Sequence, residues 1–346
     1  MKRISVCMLA LTLLPAAVAP APAQTPTLAD VFTRVKDSVV VVRTIQKEKL
    51  PWGGPEKLSI PGLGSGVLIS PDHVLTASHV IQTAQEIQVE FPGGEKLKAK
   101  VLASAAYADV ALLKLERAPS RPSLARLGDS DRVRVGEQIF IVGAPLGISH
   151  TLTVGHISAR READSLPGMF LRAEMLQTDA AINQGNSGGP MFNMAGEVIG
   201  VVSSMLSRSG GYEGLGFVIT SNLARRLVVD AHTPWSGFEG FLLEGDLARA
   251  FNLPQSEGVL VQRVAEGSPA ERAGLLPGSL DAVIEGQPVR IGGDIILGVN
   301  GIGLADEGGF ERIQKMLAAI APGEKIRLVV LRGGRRVDLE TTAVAP

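Results

Sequence analysis

Asn183-Gln184-Gly185-Asn186-Ser187-Gly188-Gly189-Pro190 is the stretch on which the reading of this chain turns. A serine sits among three glycines and is followed by proline. The run before it, Met175 to Ile182, is mostly apolar and extended, and Glu197 to Ser203 after it reads as a strand. Glycines let a backbone turn tightly with positive φ and bring its N–H groups to one side. A nucleophilic serine needs that shape, because the amides must face the oxygen that becomes negative in the transition state. On this reading Ser187 attacks, and the Gly185 and Ser187 amides form an oxyanion hole. The alternative for these residues alone is a glycine-rich hairpin loop.

A serine is a weak nucleophile without a base, and the chain has five histidines. His79 ends Val74-Leu-Thr-Ala-Ser-His79, an apolar strand running into small residues. His73 sits in a Ser-Pro-Asp-His turn, His150 and His156 flank a strand-like run from Thr151, and His232 lies in an expected linker. A third group must hold the imidazole in one tautomer. Asp109 fits, in Ala108-Asp-Val-Ala-Leu-Leu-Lys-Leu115; by itself it also reads as a turn residue opening that strand. The order His79, Asp109, Ser187 is that of the chymotrypsin-like double barrel, and differs from the orders in subtilisin and the α/β-hydrolases.

Thr76-Ala-Ser-His79, Ala108 to Leu115 and Gln177-Thr-Asp-Ala-Ala-Ile-Asn-Gln-Gly-Asn-Ser-Gly-Gly-Pro190 resemble the HtrA/Deg family of serine proteases, and the likeness continues through Gly214 to Asn222. Gly258 to Val264, Ser268-Pro-Ala-Glu-Arg-Ala-Gly-Leu275 and Gly293-Asp-Ile-Ile-Leu-Gly-Val-Asn-Gly301 resemble a bacterial PDZ domain. The resemblance implies a mostly β chain: a chymotrypsin-like double β-barrel followed by one C-terminal PDZ domain. The expected division is a signal peptide over 1–23, the protease over 24–231, a linker over 232–237 and the PDZ domain over 238–346.

Met1-Lys-Arg3, an apolar run to Ala19 and Ala21-Pro-Ala23 read as a cleavable secretory signal, the alternative being an uncleaved anchor. Cys7 falls inside it, so the mature chain is expected to have no disulfide. The chain carries 34 basic and 35 acidic residues, and loss of Lys2 and Arg3 leaves a net charge of −3. No basic run appears, so nucleic acid is not an expected partner. No metal and no cofactor enter this reading. The 40 glycines and 21 prolines point to short strands and many turns.

Thr27 to Lys36 forms a helix with Leu28, Val31, Phe32 and Val35 on one face. Either it packs on the first barrel or, as the resemblance implies, it contacts neighbours in a homotrimer or a multiple of trimers. Gln46 to Gly62, Arg160 to Met169 and Ser203 to Gly214 read as loops; the resemblance gives the first two regulatory roles, the second as a sensor of the adjoining domain unless it is a plain surface loop. Asn222 to Asp230 reads as a helix capped near Ser221. Ile182, Gln184, Met205 and Leu206 are the candidate substrate-binding residues, with Ile182 equally placed for the barrel core. No acidic floor charge is evident, so cleavage after small or aliphatic residues is expected.

A PDZ domain takes an extended peptide as an added strand, here at Gly240, Phe241 and Leu242. Two departures from the family pattern stand out. Glu239 beside that loop repels a terminal carboxylate, and Leu276 to Ile291 lengthens a link that is usually short. Val283 to Arg290 within it reads as a surface hairpin about Gly286. The resulting expectation is a periplasmic, ATP-independent serine endopeptidase acting on unfolded polypeptides. A chaperone or peptide-binding scaffold with secondary proteolysis, and a signalling protease, are the alternatives.

Overall fold

The computed structural model describes residues 26–49, 57–144, 150–162, 173–205, 213–284 and 287–343. The expected signal peptide, most of the Ala144–Gly147 turn, the Arg160–Met169 and Ser203–Gly214 loops beyond their ends, Leu206 and Gly286 lie outside these residues.

Thr27 starts the first helix, α1 (Leu28–Val35). Its hydroxyl and the Asp30 carboxylate cap each other's backbone amides, the reciprocal arrangement that satisfies free donors at a helix start. Val31 and Val35 are buried, and Arg34 donates to Ala195 O at 2.7 Å. The helix therefore packs on the Ala195–Gly196 turn of the second barrel, while Val31 and Val35 also share a core cluster with Val39, Val67 and Leu75 of the first.

β-Branched and leucine-rich runs form six antiparallel strands: β1 (Val39–Lys49), β2 (Lys57–Ser70), β3 (His73–Thr76), β4 (Glu86–Glu90), β5 (Lys96–Ala105) and β6 (Val110–Leu115). They close a barrel in the order β1-β2-β3-β6-β5-β4. Gln46 to Gly62 is not one loop. The β1–β2 ladder continues to Lys49 opposite Lys57, with Pro61 opposite Ile45. Cross-strand pairing overrides the local turn signal of Pro61 and Gly62.

The second barrel comprises β7 (Arg126–Leu127), β8 (Gln138–Gly143), β9 (Thr151–Arg161), β10 (Met175–Thr178), β11 (Pro190–Asn193), β12 (Glu197–Met205) and β13 (Gly216–Thr220). Strands β8 to β13 close on themselves through the β11–β12 and β11–β8 pairings, and β7 joins β12 in parallel. Arg160 and Arg161 extend β9, and Ser203 lies within β12, so both expected loops begin later than the sequence suggests. In the first barrel, α2 (Ser78–Ile81) follows β3. After β13, α3 (Ser221–Ala224) passes into a wider helical turn over Arg225–Asp230. Ser221 is the first helical residue and not its cap; its hydroxyl donates to Gly128 O instead.

The expected linker is pinned to the protease. Ser104 N donates to Thr233 O at 2.9 Å, and Trp235 Nε1 donates to Gln82 O at 3.1 Å. The C-terminal unit follows, with β14 (Phe238–Glu244), α4 (Gly245–Ala250), β15 (Glu257–Val264), α5 (Pro269–Ala273), β16 (Leu280–Ile284), β17 (Gln287–Ile291), β18 (Ile295–Val299), β19 (Ile302–Gly303), α6 (Gly309–Ala319), β20 (Lys325–Arg332) and β21 (Arg335–Thr342). Its sheet runs β14-β15-β18-β20-β21, leaving β14 at an edge. Gly240, Phe241 and Leu242 lie in β14, after a bulge between Glu239 and Gly240, and not in a loop. Ser268 caps α5 and Gly274 ends it at φ 80°, a helix stop that only glycine adopts freely.

Two glycines fix the seam between the barrels. A Cβ at Gly188, where φ is +82°, would lie 2.2 Å from Thr76 Oγ1 and 2.3 Å from Ser65 O; at Gly189 it would lie 2.8 Å from Val142 O of its own barrel and 3.2 Å from Ser65 Cβ across the seam. The Ser187 loop thus presses against β2 and β3 at a distance that no side chain permits. Gly188→Ala is expected to cost about 3 kcal/mol or more, from backbone strain and overlap together. Chemical denaturation measures it, and an unchanged midpoint contradicts the close approach.

Candidate active site

The apolar strand β3 ends at Thr76, and α2 opens two residues later, so His79 is delivered at the mouth of the first barrel. Its side chain is half exposed, whereas that of Asp109 is only 7% exposed. Asp109 follows a short helical turn over Ala106–Ala108 and sits at φ 48°, a left-handed conformation that Asp tolerates better than most residues. This turns its carboxylate onto α2. It accepts from the His79 backbone N–H at 2.9 Å, and its two oxygens lie 2.9 and 2.8 Å from His79 Nδ1. An ionised carboxylate only accepts, so Nδ1 carries the proton and Nε2 keeps a free lone pair.

Partial desolvation of the imidazole opposes its charge. The charge of Asp109 and its hydrogen bond, with a smaller contribution from Glu239, outweigh that, and the His79 pKa is raised above the ordinary histidine value.

Ser187 comes from the second barrel. Asn186 N donates to Asn183 O at 3.0 Å, and Gly185 has φ 103°. This is the pattern of a type II turn with glycine at its third position. Ser65, fully buried on β2, holds the loop from the other barrel. Its Oγ donates to Gly185 O at 2.7 Å, and its N–H donates to Ser187 O at 2.8 Å. With those carbonyls turned away, the Gly185 and Ser187 amides donate to no backbone acceptor among the described residues. A Cβ at Gly64 would lie 2.7 Å from Val80 Cγ1 and 3.0 Å from Ser187 O. The helix of His79 and the serine loop therefore converge on this one glycine.

Ser203 joins the two halves, and sequence reasoning missed it. Its Oγ donates to Asp109 Oδ2 at 2.5 Å, and its carbonyl faces Ser187 Oγ at 3.5 Å. At that distance the Ser187 hydroxyl is not firmly held. No His79–Ser187 hydrogen bond is formed among the described residues; such bonds commonly tighten only once substrate is present. The only signal for Ser203 was its place at the end of an apolar strand, which many serines share.

Of the expected pocket residues, Ile182 and Gln184 have described side chains. Ile182 is buried in the second barrel's core with Leu176, Ala180 and Val218, so it is a core residue and not an exposed wall. Gln184 is exposed. Met205 ends β12, and Leu206 lies outside the described residues. A separate apolar cavity of about 190 Å³ lies where the protease meets the C-terminal unit, between Tyr107, Trp235, Phe238, Phe310, Ile313 and Leu317.

The fold and this constellation define a two-barrel serine protease carrying a peptide-binding domain. The trypsin-like peptidase domain model matches residues 64–201, and the PDZ domain model matches residues 215–343. The chain is 35% identical to the periplasmic pH-dependent serine endoprotease DegQ of Escherichia coli over 92% of its length and 70% of that protein's. It is 35% identical to a probable periplasmic serine endoprotease, DegP-like, of Pseudomonas fulva, over 85% of this chain but 58% of the relative. Among solved structures, the HtrA-type protease AlgW with tripeptide matches with a TM-score of 0.53 and 31% identity, covering 93% of this chain and 98% of that one. The chain belongs to the HtrA/Deg family of serine endoproteases.

Asp109→Asn removes the main charge that raises the His79 pKa. With His79 read as the base, which must be neutral to act, activity is expected to rise with pH through that pKa. The acid limb is therefore expected to move to lower pH, while kcat falls by about 10⁴-fold. A pH–rate profile on a small ester substrate measures both; an unmoved limb contradicts the pairing.

Proposed function

We propose that the chain is a periplasmic serine endopeptidase that degrades unfolded or damaged polypeptides without ATP. His79 acts as general base and then acid, Asp109 orients it, Ser187 forms the acyl-enzyme, and the Gly185 and Ser187 amides stabilise the oxyanion. The observation that carries this reading is the Asp109 carboxylate. It holds the His79 ring from one side and Ser203 from the other, beside a serine loop whose carbonyls are tied away from the cleft.

Export to the periplasm is supported by the basic-apolar-small pattern of residues 1–23 and by the periplasmic relatives. We assign residues 24–231 to the protease, 232–237 to the linker and 238–346 to the PDZ domain. Extended apolar chain is the feature that unfolded proteins expose, and the free edge of β14 suits such a segment as an added strand at Gly240, Phe241 and Leu242. The solved AlgW complexes with a tripeptide and a decapeptide support peptides as ligands. Assembly into trimers rests on the family resemblance, and sedimentation of the mature chain tests it.

Hydrolysis of unfolded casein is the decisive assay. The mature chain is expected to cleave it, and Ser187→Ala to lose about 10³-fold or more of that rate. A fluorophosphonate should label the parent chain and not the variant. Equal hydrolysis by both rules out Ser187 as the nucleophile.

A further inference from the structure

The inserted hairpin β16–β17 has no role in the catalytic reading and Glu239 only a small one, yet they meet in one charged cluster between the domains. Glu48, on the β1–β2 hairpin of the first barrel, is the centre. Its Oε1 accepts from Arg263 Nε at 2.9 Å, and its Oε2 from Arg290 Nη1 at 3.1 Å. Arg263, on β15, also donates to Glu239 Oε2 at 2.9 Å. Arg290, on β17, is held by Asp281 of β16 at 2.9 Å, and its backbone N–H donates to Gln262 Oε1 at 3.0 Å. The side chains of Glu48 and Arg290 are 19% and 21% exposed, so the pair is partly desolvated, and removing one partner leaves the other charge partly buried and unpaired. Lys47, on the opposite face of β1, is taken by Glu86 and senses Glu266.

The same domain face is tied to the helix of the catalytic base. Gln82, just past the end of α2, donates to Ser236 Oγ at 2.8 Å and to Phe238 O at 2.9 Å. Its Oε1 accepts from Ser78 and Ser104 hydroxyls. Glu239 follows Phe238 directly. On the other side of this contact the Tyr107 ring stands edge-on to Phe310 of α6, centroids 5.8 Å apart.

We propose that the inserted hairpin is an interdomain clasp. Through Arg290, and with Arg263, it grips Glu48 and so holds Glu239 beside the helix that carries His79. Opening of the domains then reaches the catalytic histidine as a loss of negative charge. This rests on the reading of His79 as the base. In the closed form Glu239 helps to hold the imidazolium, alongside the larger effect of Asp109. Opening lowers the His79 pKa and extends the neutral, competent form to lower pH. The clasp also accounts for both departures from the family pattern: Glu239 is a charge held in place by Arg263, one of the two arginines that grip Glu48, and the hairpin is not a bare surface feature.

The test uses the full mature chain in a Ser187→Ala background, so that no turnover is needed. Small-angle scattering reports domain opening. An NMR titration of the His79 imidazole, assigned by its loss in His79→Gln, reports the charge. Glu239→Gln should lower the His79 pKa with unchanged scattering. Glu48→Gln and Arg290→Gln, on opposite domains, should each enlarge the scattering radius, lower the pKa, and raise cleavage of the 231–237 segment by added protease several-fold. If one of these two fails to fold, the other decides. Variants that keep the closed dimensions, or that open without moving the titration, overturn the proposal. A failed casein assay with an intact clasp response instead sinks only the catalytic reading.

Discussion

One buried negative charge governs this protein. A carboxylate taken out of water is costly unless its lone pairs are satisfied, and Asp109 meets that cost with donors from both barrels. The His79 backbone and ring come from the first, and the Ser203 hydroxyl from the second. The left-handed backbone at Asp109 is the local strain that this arrangement carries. Removing any donor leaves an under-satisfied charge in the seam, so catalytic geometry and barrel docking cannot be separated. On the proposed reading the chain needs two barrels, because one supplies the base and its orienter while the other supplies the nucleophile.

The serine loop obeys the same logic with neutral groups. Ser65 uses its N–H to hold Ser187 O and its hydroxyl to hold Gly185 O, and that hydroxyl also accepts from Ala144 N at 2.9 Å. A buried hydroxyl satisfied on both sides is worth more than its pairwise sum, because neighbouring bonds polarise it. The close approach it enforces explains the two glycines after Ser187 better than chain flexibility does. They are there so that two sheets can touch.

His79, Asp109 and the Ser187 loop were legible in the sequence because each breaks its local pattern: a histidine after an apolar strand, an acid before one, a serine among glycines. Ser203, Ser65 and Gln82 were not, because a polar residue in an ordinary strand or short helix becomes significant only through what it meets across the fold. Ile182 shows the same limit, since apolar character cannot tell a pocket wall from a core. The loop over Gln46 to Gly62 was misread because proline and glycine signal turns locally while the partner strand lies elsewhere. The double barrel followed from the chain order of His79, Asp109 and Ser187 and from the family resemblance, and the C-terminal domain from resemblance alone; composition gave only short strands and many turns. The hairpin's role did not, since its partner Glu48 is 242 residues away from Arg290.

The raised His79 pKa sets stability against catalysis. A folded-state pKa above the unfolded value means that the charged imidazolium stabilises the fold. That contribution is complete below the unfolded pKa and is lost as pH rises through the folded one. On the proposed reading catalysis needs the opposite form, because only the neutral ring can take the Ser187 proton. Acid therefore favours the assembled, inactive seam, and rising pH trades part of that stability for competence. Because Asp109 provides most of the shift and a residue of the C-terminal unit the rest, the pH at which the trade occurs depends on how all three units sit together.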